Sequence, residues 1–283
     1  MVSQFRFVLV VAAGVTLTTL PVHAQVLPGQ SKAITKCESG TGSALPKFTD
    51  GKAKCISKCI KGARKTSGPF GGCFAPYADP TAFACITGSL KGVEAKGGAA
   101  IAKVCAAVSS CPKCYVSNGS IGAAGCTDAS GANPWVQMIE GDLDGIAPVV
   151  YCLEASAAQP SKSDAKCEDD VSKALVKFVG KKAKCYEKCN AGIVKGKIPP
   201  NSCIPGATTD PKTIACVSDP KKGVEAKAAA AIDKKCFTPP ATAPSCYTSG
   251  FTSGAEWVSN AEELEDPVIA DVNCGSPSGA FLN

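Results

Sequence analysis

The chain has 283 residues, 30 Lys and Arg against 24 Asp and Glu, eighteen cysteines and one histidine, His23. A single imidazole confines histidine chemistry to the N-terminal segment, and the moderate positive charge describes a solvated surface rather than a dedicated polyanion carrier. Met1 to Arg6 is short and basic, and Phe7 to Leu20 is apolar but too short to span a bilayer comfortably. Val22 and Ala24 then stand as the small residues before a cleavage point, so residues 1–24 read as a secretory signal peptide.

Cleavage there would start the mature chain at Gln25 and remove His23. That would exclude haem attachment through C-x-x-C-H, His-containing zinc sites and Ser-His-Asp or Cys-His catalysis. No later stretch is apolar for long enough to cross a membrane, so no transmembrane span is expected in the mature form. The expected location is periplasmic or extracellular, where cysteines pair as disulfides.

The cysteines set the organisation. Cys37, Cys55, Cys59, Cys73, Cys85, Cys105, Cys114 and Cys152 are matched in order by Cys167, Cys185, Cys189, Cys203, Cys216, Cys236, Cys246 and Cys274. KGVEAK occurs twice, starting at Lys91 and at Lys222, and Trp135 and Trp257 precede Cys152 and Cys274 by the same interval. This reads as an internal duplication: repeat one at 25–153, a linker at 154–164, and repeat two at 165–283. Cys111 and Cys126 have no counterpart in the second repeat, and pairing them staples an insertion. Eight cysteines per repeat allow many pairings; the expectation is only that the pattern repeats and does not cross between repeats.

The predicted elements are all helical. Cys167, Val171, Ala174, Phe178, Cys185 and Cys189 share one face of a long helix, with the lysines of KKAKCYEK on its exposed side. The equivalent in repeat one is expected to begin near Leu45, because Gly40, Gly42 and Pro46 interrupt it. Asp79-Pro80 and Asp210-Pro211 start second helices. Third helices run from Val93 to Cys105 and from about Val224 to Cys236. Asn133-Pro134 and Ser253, with Glu256 as a capping box, start the fourth pair, and the last helix is expected to turn Trp257, Ala261 and Leu264 inward. The fold class is all-α: two tandem disulfide-stapled small helical domains.

The run KCEDDVSKALVKFVGKKAKCYEKC, followed by a short cysteine loop, DPKTIACV and a Lys/Ala-rich helix, resembles the cysteine-rich, Lys/Ala-rich helical repeat proteins secreted by environmental bacteria. The resemblance implies an exported helical protein and carries no activity, cofactor or site residue. The interrupted first helix and the Cys111/Cys126 pair depart from it. Plant lipid-transfer proteins fit less well, since they need adjacent Cys-Cys and C-x-C, and neither occurs.

Cys111 and Cys114 form a C-x-x-C without the flanking strand and helix that a redox motif uses. Glu140, Asp142, Asp144 and Gly145 imitate the start of a calcium loop, but Tyr151 stands where its last ligand should be, so a solvated acidic helix end is the expectation. Ser110/Lys113, Ser163/Lys166 and Ser218/Lys221 match S-x-x-K by chance in a Ser- and Lys-rich chain. Asn118 opens a glycosylation sequon. Glu94 and Glu225 would serve a carboxylate enzyme, but their charged neighbours make them surface charges.

The lysine runs could grip an anionic cell-surface polymer. Scarce aromatics around them argue against nucleic acid. The expectation is a secreted, non-enzymatic structural or binding protein that uses no cofactor, with an anionic polymer or an extracellular protein as partner. The alternatives are a thiolate metal-binding protein and an extracellular carboxylate enzyme.

Overall fold

In a computed structural model, which describes residues 31–88, 91–117, 119–153, 160–239, 241–249 and 251–274, every regular element is helical. The expected signal peptide, Asn118 and residues 154–159 of the expected linker lie outside the described residues. Of the remainder, Ser161 to Asp164 are already helix and its cap. Ser161 caps α7, Lys162–Val194, through a capping box with Asp164.

The first half consists of α1, Lys32–Lys65, α2, Pro80–Ile86, α3, Val93–Cys105, the short α4, Lys113–Ser117, and α5, Ala124–Thr127, and then α6, Pro134–Val150. The second half follows with α7, α8, Pro211–Ser218, α9, Val224–Cys236, and α10, Gly254–Val272. The expected caps are in place: Asp79 accepts from the amides of Thr81 and Ala82, Asp210 from Thr213, Asn133 from Trp135 and Ser253 from Glu256. Each satisfies a donor that the first helical turn leaves without a partner.

The first helix does not begin near Leu45; it begins at Lys32 and carries Pro46 within it. Packing and a bridge outweigh the local breakers. Cys37 is bonded to Cys105 with their Cα atoms 4.3 Å apart, and a Cβ on Gly40 would lie 2.6 Å from Val104. The glycine permits α1 and α3 to approach closely; it does not end the helix.

All eighteen cysteines are paired. Cys37–Cys105, Cys55–Cys85 and Cys59–Cys73 in the first half match Cys167–Cys236, Cys185–Cys216 and Cys189–Cys203 in the second. Cys111–Cys126 closes the insertion, as expected. The expectation that no bridge crosses between halves is overturned by Cys114–Cys274 and Cys152–Cys246.

The crossing is reciprocal, and its cause is helix length. Trp135 packs edge-on against Tyr115 of its own half, and Trp257 does the same against Tyr247. From each tryptophan a helix of about 25 Å, continuous through Pro148 in α6 and Pro267 in α10, carries the terminal cysteine into the other half. There the Tyr247 hydroxyl donates to the Val150 carbonyl at 2.6 Å, and Tyr115 donates to Val272 at 2.9 Å.

Each of the two large cores therefore draws on both halves. One joins the C-terminal part of α1, α2 and the end of α6 to α9 and the starts of α7 and α10. The other joins the start of α1, α3 and α6 to the ends of α7 and α10. Trp257 and Ala261 point inward as expected, but Leu264 is only half-buried and Glu265 takes the buried place.

Candidate functional site

Helices α1 and α7 lie antiparallel. Ser43 near the start of α1 donates to Glu187 near the end of α7 at 2.8 Å, and at the other end Arg64 pairs with Glu168. Between them runs a groove of two adjoining cavities, of about 750 and 560 Å³, which share Asp50, Val176 and Lys177. Nine lysines line it: Lys47, Lys54, Lys58, Lys61 and Lys65 from α1, and Lys173, Lys177, Lys181 and Lys184 from α7. Only three carboxylates join them, Asp50, Asp169 and Glu187. The surplus of six positive charges in this one groove equals the formal net charge of the whole chain, +6.

Few of these ammonium groups are neutralised. Lys54 pairs with Asp50 at 2.5 Å, Lys61 with Asp169 at 3.2 Å, and Lys173 with Asp170 at 3.7 Å. Among the described residues, Lys47, Lys58, Lys65, Lys177, Lys181 and Lys184 form no ion pair. The helical rise spaces such groups at intervals of about 5 Å along the axis, and like charges so close raise the local potential.

Two further lysines of the same runs are not on the exposed side. Lys52 and Lys182 are fully buried. Lys52 reaches Glu140 at 3.0 Å and Asp144 at 2.8 Å on α6; Lys182 reaches Glu262 at 2.6 Å and Asp266 at 2.5 Å on α10. The signal for this lay in the spacing. Phe48, Lys52, Cys55 and Cys59 follow at intervals of four, three and four, which puts Lys52 on the core-facing stripe.

The expected roles of the acidic residues change accordingly. Glu140, Asp142 and Asp144 sit within the continuous helix α6, so they form no calcium loop. Glu140 and Asp144 hold a buried lysine rather than making a solvated helix end. Glu94 is buried too, not a surface charge, while Glu225 is half-buried. Burial pushes the Glu94 carboxyl above the usual carboxylate range, and Glu140 pushes it further, against the pull of Lys52. Burial and then Glu262 raise Glu225 in the same way, opposed by Ser218 and Lys182. Each cluster thus sets one buried ammonium against two carboxylates, with a third carboxyl raised above the usual carboxylate range.

Carboxyls pushed apart in acidity occur at catalytic sites and equally in structural ion-pair networks. At Lys52 the pattern is structural: the Tyr77 hydroxyl donates to Asp144, and Tyr77 is itself buried. Of the other candidates, Cys111 and Cys114 are bonded to different partners, so C-x-x-C forms no redox pair. Ser218 donates to Glu225 at 3.1 Å and Lys166 pairs with Asp170 at 3.0 Å, so neither belongs to a serine–lysine couple. With every sulfur in a bridge, the oxidised protein offers no thiolate to a metal.

No helix among the described residues is long and apolar enough to cross a membrane. No family model, curated protein or solved structure matches the chain.

Proposed function

We propose that the chain is a secreted, disulfide-stapled binding protein whose α1/α7 groove holds an acidic cell-surface polysaccharide. The observation that carries this reading is the concentration of nine lysines and three carboxylates along one open groove. Bridges anchor both walls. Cys55, Cys59 and Cys37 fix α1 from its core side, and Cys167, Cys185 and Cys189 fix α7, so the lysine rows are held in place before a ligand arrives. Preorganisation of this kind lowers the ordering cost of binding. No aromatic side chain lines either cavity among the described residues, which disfavours stacking on nucleic-acid bases.

The test is retention of the intact oxidised protein on heparin and dextran sulfate beads, with uncharged dextran as control. Binding should fall steeply with salt, because Debye screening at about 1 M ionic strength reaches only about 3 Å. Replacing Lys58→Glu together with Lys177→Glu, both exposed, should weaken retention at least about tenfold, a loss of about 1.4 kcal/mol. Equal retention on uncharged dextran, or indifference to the double variant, would refute the groove as the binding surface.

A further inference from the structure

The two buried lysines are covered differently, and the difference leaves a cavity. At Lys52 the cover is Tyr77, two residues before Asp79. Its hydroxyl donates to Asp144 Oδ1, and its ring centroid lies 5.4 Å from Lys52 Nζ. The residue two before Asp210 is Thr208. Its hydroxyl is turned to the Ile204 carbonyl at 2.7 Å and to Tyr186 at 3.1 Å. Over Lys182 there remains a cavity of about 270 Å³, lined by Tyr186, Thr208, Ile214, Val217, Glu262 and Asp266 among others.

The cavity keeps the features that engage Tyr77 on the other side. Asp266 Oδ1 corresponds to the oxygen that accepts the Tyr77 hydroxyl; it takes the Lys182 ammonium at 2.5 Å, as Asp144 takes that of Lys52, and the Asp266 side chain as a whole keeps 28 % of its surface accessible. Lys182 stands where Lys52 faces the tyrosine ring. Ile214, 44 % exposed, and Val217 supply apolar wall for a ring edge. Two carboxylates against one ammonium disfavour an anionic guest. The volume lies below the roughly 300–1,000 Å³ of sites for drug-sized ligands, so it suits a single ring.

We propose that the cavity above Lys182 binds a small neutral phenol, whose hydroxyl donates to Asp266 and whose ring lies over Lys182 as the Tyr77 side chain does over Lys52. The first half carries this phenol covalently as Tyr77; in the second, Tyr186 forms part of the wall with its hydroxyl held by Thr208, and the ring over Lys182 comes from solution. This site is separate from the α1/α7 groove, and its failure would leave the groove reading untouched.

The probe is p-cresol, the free equivalent of the tyrosine side chain, titrated into the full oxidised protein by calorimetry and by NMR. One saturable site is expected, with Kd on the order of 1 mM or tighter, and at least about tenfold weaker binding of toluene, which lacks the hydroxyl. Thr208→Tyr should fill the cavity and abolish p-cresol binding while keeping the helical circular dichroism. Tyr77→Thr should open a second site and raise the stoichiometry to two. Absence of saturable p-cresol binding, equal binding of toluene, or unchanged binding by a folded Thr208→Tyr protein would each overturn the proposal. If Thr208→Tyr does not fold, the p-cresol and toluene titrations of the unaltered chain decide it alone.

Discussion

The Lys52 and Lys182 clusters carry the same buried ammonium and the same Glu and Asp partners one helical turn apart, yet one is covered by Tyr77 and the other borders a cavity. Around Lys52, Tyr77 closes the cluster, and the position one residue before Asp144 is Leu143. Around Lys182, Thr208 leaves a cavity, and the corresponding position before Asp266 is Glu265. The ion pair is the constant requirement of the architecture, because a lysine on the core stripe needs its charge balanced wherever it sits. The lid and the flank are free to vary, and variation there separates a structural site from an accessible one.

The strongest way to break the comparison is to remove each lysine. Lys52→Met or Lys182→Met would leave two carboxylates without their cation, and breaking a buried pair costs about 3–5 kcal/mol. The Lys52 variant should suffer somewhat more, since Glu140 and Asp144, 14 % and 23 % exposed, are less solvated than Glu262 and Asp266, 26 % and 28 % exposed. Urea unfolding of both proteins measures this, and equal losses would show that this difference in exposure does not set the cost.

The crossing bridges come next. Replacing Cys114 and Cys274 together by serine, or Cys152 and Cys246 together, should cost about 2–4 kcal/mol in either case. A non-reducing peptide map should show these two linkages and no bridge between Cys114 and Cys152. That last linkage, if found, would return the protein to two independently stapled halves.

The smallest effect sharpens the asymmetry of the flank. Glu265 is buried with neither carboxyl oxygen hydrogen-bonded, beside a cavity of about 40 Å³. Burial pushes its carboxyl well above the usual range, against the pull of Lys182 and reinforced by Asp266 and Glu262. A carboxyl raised in the folded state binds its proton more tightly there than in the unfolded chain. Its favourable effect on stability is whole below the ordinary carboxylate value and is lost as pH rises above it. Glu265→Leu, which installs the residue found at 143, should stabilise the protein by about 1–3 kcal/mol, and by more at pH 8 than at pH 5. A denaturant midpoint that falls, or a gain that does not grow with pH, would show that Glu265 has a partner when folded.

Much of the fold was legible because its signals are local. An aspartate before a proline caps a helix whatever surrounds it, so the starts at Pro80 and Pro211 followed from two residues each. The capping box at Ser253 and Glu256 and the staple between Cys111 and Cys126 are short-range in the same sense. The continuity of α1 through Pro46 was not legible, since it depends on α3 and a bridge 68 residues away. Of the candidate site, the lysine rows could be read, but their assembly into one groove could not. The buried lysines were within reach, because their spacing to Phe48 and Cys55, or Phe178 and Cys185, is that of a core stripe.

By itself, the sequence determined the helical class, the positions of most helix starts, the full pairing of an even set of cysteines, and the recurrence of one pattern in two halves. These follow from capping chemistry, helical periodicity and cysteine number, each acting over a few residues or on composition. Tertiary structure decided which cysteines pair across the halves, that each large core is shared, that Lys52 and Lys182 face inward, and that Tyr77 closes one cluster while Thr208 leaves the other open. Those outcomes turn on where a helix of about 25 Å delivers its far end and on how two antiparallel helices set their faces together, and no short window of the chain contains either.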